Sequence, residues 1–123
     1  MQHTTNYNLN QWEADDRVTR ADFNDDNAKI DAALGSCARV MAGTYDGNNN
    51  TSRTINLGVK PKVVMIWMDG TTQDRNGNTY GGVASTAFNT GPIQIVSNGF
   101  TVINSGSYAL NSSGSRYVYI VLY

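Results

Sequence analysis

One cysteine, one histidine and one glutamate in 123 residues remove most enzyme chemistry before any pattern is sought. Cys37 has no partner within the chain, so no intrachain disulfide framework can form. With His3 the only imidazole, neither a zinc site nor a Cys/His nucleophile can be assembled within one chain. A Ser-His-Asp triad would have to recruit His3, which lies in an N-terminal arm and reads as an ordinary surface residue. A glycosidase needs two opposed carboxylates. Glu13 is the only Glu, and the second half of the chain offers only Asp46, Asp69 and Asp74, each in or beside a turn that accounts for it. No phosphate-cradling glycine loop is present. Charged residues make up 15% of the chain, against about a quarter in an average protein. Neither half is strongly basic, so the footprint of a nucleic-acid binder is missing. No apolar run is long enough for a bilayer, and Met1–Asn10 shows no signal-peptide pattern. The expectation is a soluble, non-enzymatic chain folded in a cytoplasm, with no cofactor, no metal and no membrane insertion.

What is present divides in two. Residues 1–42 hold seven acids (Glu13, Asp15, Asp16, Asp22, Asp25, Asp26, Asp31) against four bases (Arg17, Arg20, Lys29, Arg39). Residues 43–123 hold three acids against five bases and are rich in Gly, Asn, Ser and Thr. The first part reads as an extended arm over residues 1–12 and one helix. Thr19 followed by Asp22 marks the helix start, with Asp22, Asp25 and Asp26 placed where the macrodipole favours them. The helix runs from Arg20 to Ser36 or Val40. Gly35 is its weak point, where it can instead end and let Cys37 begin a strand. Phe23, Asn27, Ile30, Leu34, Cys37 and Met41 follow 4-3-4-3 steps and predict an a/d seam that buries itself against copies of the same helix, with Asn27 as a register-setting polar residue. The competing reading is an amphipathic helix lying on its own β-domain.

Turn signals punctuate the second part. Asp46–Asn50, Asp69-Gly70, Asn76-Gly77, Gly81-Gly82 and Asn98-Gly99 separate candidate strands at 39–45, 52–57, 62–68, 82–88, 92–97, 100–104 and 116–122. Asn98-Gly99 reads as a hairpin turn. The fold class predicted is mainly β: a short arm and oligomerising helix (1–42), then a compact antiparallel sandwich or jelly-roll-like domain (43–123). Strands 62–68 and 116–122 are apolar on both faces, whereas an antiparallel strand normally keeps one face wet. The second face must meet another sheet, the arm or another subunit, and the helix seam favours a subunit.

Candidate ligand contacts concentrate in the polar loop from Asp69 to Gly82. Asp74, Arg75, Asn76 and Asn78 supply donors and acceptors, and Tyr80 supplies a flat face, the mix a sugar requires. The competing reading is a solvated hairpin loop. Asp74–Asn78 is oxygen-rich like a calcium loop, but the EF-hand spacing and its closing Glu are missing. Tyr117, Tyr119 and Tyr123 could line a sugar site, although core or interface packing explains them better.

Thr5-Asn6-Tyr7-Asn8-Leu9-Asn10-Gln11-Trp12-Glu13, then Asp16-Arg17-Val18, Asp22-Phe23-Asn24 and Lys29–Leu34, resembles the N-terminal segment of tail-fibre and minor structural proteins of tailed bacteriophages and prophages, particularly of Gram-positive gut bacteria. Gly43-Thr44-Tyr45, Arg53–Gly58, Pro61–Val64, Gly99–Val102 and Tyr117–Ile120 resemble tail-tip domains of the same kind. The resemblance implies a homotrimer in the virion tail, assembled in the host cytoplasm, that contacts other phage tail proteins and recognises a bacterial surface polysaccharide or wall glycan. It assigns no binding residue. A purely structural tail or baseplate role is the alternative, and a depolymerase is disfavoured by the shortage of carboxylates.

Burying seam residues such as Phe23, Ile30 and Leu34 is worth roughly 1.5–3 kcal/mol each. Leu34→Asp would crowd carboxylates around one axis, so a weaker oligomer with a still-folded β-domain is expected by light scattering and thermal melting. Unchanged mass and melting temperature would refute the seam.

Overall fold

The first four N–H groups of a helix have no partner inside it. Thr19 meets this need with a capping box. Its hydroxyl accepts from the Asp22 amide at 3.2 Å, and the Asp22 carboxylate accepts from the Thr19 amide at 3.2 Å. The helix so started, α1, spans Arg20–Ser36 in the computed structural model, which describes residues 1–69, 77–89 and 91–123. Gly35 stays inside the last turn. The Ser36 hydroxyl donates to the Ala33 carbonyl at 2.8 Å, and Cys37 turns extended (φ −70°, ψ 137°). The seam expected to reach residue 41 therefore stops on the helix at Leu34. Cys37 is the cap, and Met41 lies in the following strand.

The arm is not simply extended. Gln2–His3 (β1) pairs antiparallel with Asn10–Gln11 (β2), through a turn in which Asn8 takes a φ of 54°. Asp26 explains the fold-back. It is the buried residue of the helix, and its carboxylate accepts from the Asn10 amide at 3.0 and 3.1 Å. The Asn10 side chain donates to the Asp22 carbonyl at 3.1 Å, and Lys29, paired with Asp25 at 2.6 Å, donates to the Asn8 carbonyl at 2.8 Å. A buried carboxylate is tolerated only with such donors around it. Trp12 stacks on Phe23, ring centroids 6.3 Å apart.

Two units result, Met1–Cys37 and Ala38–Tyr123. The division falls before residue 43, because Val40–Asp46 already forms a strand of the second unit. Among the described residues that unit contains seven strands: β3 (Val40–Asp46), β4 (Ser52–Asn56), β5 (Val63–Met68), β6 (Gly82–Ser85), β7 (Ile93–Val96), β8 (Gly99–Ile103) and β9 (Arg116–Leu122). All pair antiparallel, as one four-stranded sheet in the order β3-β9-β5-β6 and one three-stranded sheet in the order β4-β8-β7. The chain is mainly β, with one helix among the described residues, and the two sheets share one core, consistent with a β-sandwich.

The core draws Tyr45, Val64, Ile66, Ala84, Tyr117 and Val121 from the larger sheet and Ile93, Ile95, Phe100 and Val102 from the smaller. Tyr45 and Tyr117 stack at 5.0 Å and 13°, and Phe100 meets Tyr119 edge-on at 5.3 Å. Such pairs add roughly 0.5–1.5 kcal/mol beyond area burial. Met41 packs against this same core from β3, and so do Tyr119 and Tyr123. The tyrosine row is thus inner packing.

The outer faces of the two sheets differ in kind. On the smaller sheet Thr54 and Thr101 share a hydrogen bond at 2.9 Å beside exposed Gln94, a wet face. On the larger sheet the register lines up four rows across the strands. Val40, Leu122, Val63 and Ser85 form the first. Ala42, Ile120, Met65 and Val83 form the second, and Thr44, Val118 and Trp67 the third. Asp46 and Arg116, joined by the Asp69 amide donating to the Arg116 carbonyl at 2.8 Å, form the last. Three rows are almost wholly apolar and one is charged.

The β7–β8 hairpin turns at Ser97-Asn98, since Val96 pairs with Gly99. Gly99 opens β8 rather than closing the turn. A Cβ there would run into the carbonyl of Ile55 on β4. Gly99→Ala is therefore expected to destabilise the fold by about 1–3 kcal/mol in chemical denaturation, the cost of overpacking against backbone. A change within about 0.5 kcal/mol, the range of a neutral surface substitution, would contradict that close approach.

Candidate functional site

Strand direction sorts the connections. Arg39 and Tyr123, which exchange backbone hydrogen bonds of 2.9 Å, lie at one end of the β unit, where its chain enters and leaves. At the opposite end, beyond Asp46, Met68 and Ile103, lie the β3–β4, β5–β6 and β8–β9 connections. Loops grouped on one end of a rigid sheet pair are where recognition is usually carried.

Buried polar contacts fix two of these connections to each other. Asn111 is fully buried. Its side-chain amide donates to Asn48 Oδ1 at 2.6 Å and to the Asn50 carbonyl at 3.0 Å. Its Oδ1 accepts from the Asn48 amide and from Arg53, each at 3.3 Å. Its own amide donates to Asn104 Oδ1 at 3.1 Å. The stacked tyrosines reach into the same segment. The Tyr45 hydroxyl donates to the Leu110 carbonyl at 2.6 Å. That of Tyr117 donates to the Ala109 carbonyl at 2.7 Å and accepts from the Ser112 amide at 3.0 Å. Burial, reinforced by Tyr117, pushes the Tyr45 hydroxyl well above its ordinary pKa, while Arg53, 5.6 Å over its ring, opposes the shift. Tyr45 therefore stays a neutral donor.

Beside this anchored segment, Asp46, Asp69, Gly114, Ser115 and Arg116 line an open cleft of ≈ 310 Å³. Arg116 Nε donates to Asp46 Oδ1 at 2.8 Å, and a second guanidinium nitrogen donates to Oδ2 at 3.3 Å. The hydrogen bond from Arg116, and then its charge, hold the Asp46 carboxyl below the usual carboxylate range. The sign follows from a depressed folded-state pKa. The pair's contribution is present above the ordinary carboxylate range and fades as pH falls through the lowered value. Both side chains are more than half exposed, so the contribution is small. Asp69 places a second carboxylate beside the same guanidinium. The cleft can grip vicinal hydroxyls through two carboxylates and a planar donor.

Of the residues expected to bind ligand, Asp74, Arg75 and Asn76 lie outside the described residues. Asn78 and Tyr80, both half-buried, flank Thr79, whose amide donates to the Ser107 carbonyl at 2.7 Å and whose carbonyl accepts from the Ala109 amide at 2.9 Å. Thr79 bridges Tyr108, which is partly exposed. The described end of the expected loop is thus joined to the β8–β9 connection. Sequence reasoning missed Arg116, whose partner Asp46 is 70 residues away in the chain. It held Asp46 to be a turn residue.

The expected association residues separate into three groups. Phe23, Asn27, Ile30 and Leu34 are exposed on α1. Ile30 and Leu34, with Tyr7, Leu9, Ala33 and Cys37, line an apolar groove of ≈ 160 Å³ between the hairpin and the helix. Cys37 is exposed, and Met41 belongs to the β core. Among the described residues no helix is long and apolar enough to cross a membrane. No family model, curated protein or solved structure matches the chain.

Replacing Asn111 with Ala strands the Asn48 amide and the Asn50 carbonyl. The fully buried Asn111 side chain makes four hydrogen bonds, each worth about 0.5–1.5 kcal/mol, so Asn111→Ala is expected to lower stability by about 1–3 kcal/mol in urea denaturation. Unchanged stability would show that Asn111 does not hold the two connections together.

Proposed function

We propose that this chain is a non-enzymatic adhesin of a bacteriophage tail fibre, a homotrimer that recognises a host cell-surface polysaccharide or wall glycan. The observation that carries the reading is the placement of three connections at the end of the β unit remote from Arg39 and Tyr123, with the Asp46–Arg116–Asp69 cleft among them. A tip domain receives its chain at the base and presents loops at the far end. The residue resemblance of both halves to tail-fibre proteins supports the same reading, as does the exposed apolar row on α1, suited to a trimeric coiled-coil-like stalk. The location is then the virion tail, with other tail proteins as neighbours and no nucleic acid among the partners.

Carboxylates beside a guanidinium, with the partly exposed Tyr108 on the β8–β9 connection at the same end of the unit, suit hydroxyl-bearing rings better than apolar or polyanionic ligands. The apolar outer face of the larger sheet favours a second reading, a structural tail or baseplate component that docks through this face to other virion proteins. Attachment to host cells separates the two. Asp69→Ala and Tyr108→Ala should each reduce attachment about tenfold or more, since a hydrogen bond to a charged group is worth about 1.5–3 kcal/mol and a stacked ring contributes comparably. Native mass and melting temperature should not change. Attachment by the double variant equal to that of the parent would reject the cleft and favour the structural reading.

A further inference from the structure

We infer that the outer face of the β3-β9-β5-β6 sheet is the surface on which copies of this chain pack against one another; the inference rests on the proposed self-association and supplies its β-domain contact.

The two sheets contrast on their outer faces. A sheet in contact with water normally alternates apolar and polar residues, as the β4-β8-β7 sheet does around Thr54, Thr101 and Gln94. The larger sheet instead carries apolar residues on both faces. Val40 and Val83, on the two edge strands, are 66% and 63% exposed. Across the rows only two hydroxyls interrupt, those of Thr44 and Ser85, and no charge does. The charged row, Asp46 and Arg116 with Asp69, stands only at the loop end. Copies meeting over the apolar rows would leave that row open to a ligand.

Area selects the occupant. Same-face residues stand roughly 6.7 Å apart along a strand and strands about 4.8 Å apart, so the positions of the three apolar rows cover roughly 350 Å² of flat face. A stable interface takes about 800 Å² from each partner. The face alone falls short. The same chain exposes a second apolar row, Phe23, Ile30 and Leu34, on its helix. A second copy brings matching surfaces for both rows from one sequence, whereas an unlike partner seated on the sheet would leave the helix row uncovered. Each unit thus exposes an apolar surface that a copy of the same chain would cover.

Trp67 lies in the third row and makes the face observable. Trp12, the other tryptophan, can be changed to Phe at little cost, because its indole N–H has no hydrogen-bond partner and its role is to stack on Phe23. In the full-length Trp12→Phe chain, sedimentation should show an oligomer. Emission from Trp67 should lie at short wavelength and move to longer wavelength as dilution dissociates it. Adding Val40→Lys and Val83→Lys, both at well-exposed positions, should abolish the oligomer at micromolar protein with the β circular-dichroism signal kept. If the double lysine variant does not fold, the dilution experiment on the unaltered face still decides. An oligomer that survives both lysines overturns the inference. So does Trp67 emission that is the same in oligomer and monomer, the result expected if the helix alone associates, or a chain that is monomeric throughout, the result expected if its own first unit or an unlike partner covers the face. None of these measurements involves a sugar, so failure of the inference is distinct from failure of the glycan reading.

Discussion

The fold depends on β9. It is paired along both edges, with β3 and with β5, so every backbone hydrogen bond that holds the larger sheet together at its centre runs through Arg116–Leu122. Its inner residues Tyr117 and Val121 are fully buried in the shared core. Its outer residues Val118, Ile120 and Leu122 form the middle of an apolar face. Its first residue, Arg116, holds the cleft. Core, proposed assembly surface and candidate ligand site therefore lie on three aspects of one seven-residue strand.

Contact between core and loop end runs through the fully buried Leu110 of the β8–β9 connection and through hydroxyls and one amide. The Tyr45 and Tyr117 rings are stacked in the core, while their hydroxyls bind the β8–β9 connection. Asn111 joins that connection to the one between β3 and β4. In a low-dielectric interior a satisfied polar network is rigid and an incomplete one is costly. The loops at this end are consequently held in place by the same side chains that fill the core. That is the preorganisation a recognition surface needs, because ordering a loop on binding subtracts from affinity.

Much of this was legible in the sequence, for identifiable reasons. All seven strands of the β unit were expected near their observed positions, because Gly, Asn and Asp turns leave short apolar runs between them. The capped start of α1 was legible because a capping box is a local pattern. The seam past Leu34 was not. The heptad steps continue to Met41, but strand pairing of Val40 with Leu122 ends the helix first. The arm's hairpin was hidden because its driving contact, Asp26 with the Asn10 amide, spans 16 residues and uses an acid that helix-end electrostatics already explained. The cleft was hidden for the same reason on a longer scale. Nothing local marks Asp46 and Arg116 as partners, and the register that joins them comes from folding the whole sheet.

The two-sided character of β9 leads to one central claim: this chain does not act alone. An apolar outer face on one sheet and an apolar row on the helix are both surfaces that water covers poorly. Sedimentation equilibrium of the unmodified full-length chain at micromolar concentration tests the claim most directly. The account predicts a mass three times the 13.4 kDa of the single chain. A single species at the mass of one chain would contradict it.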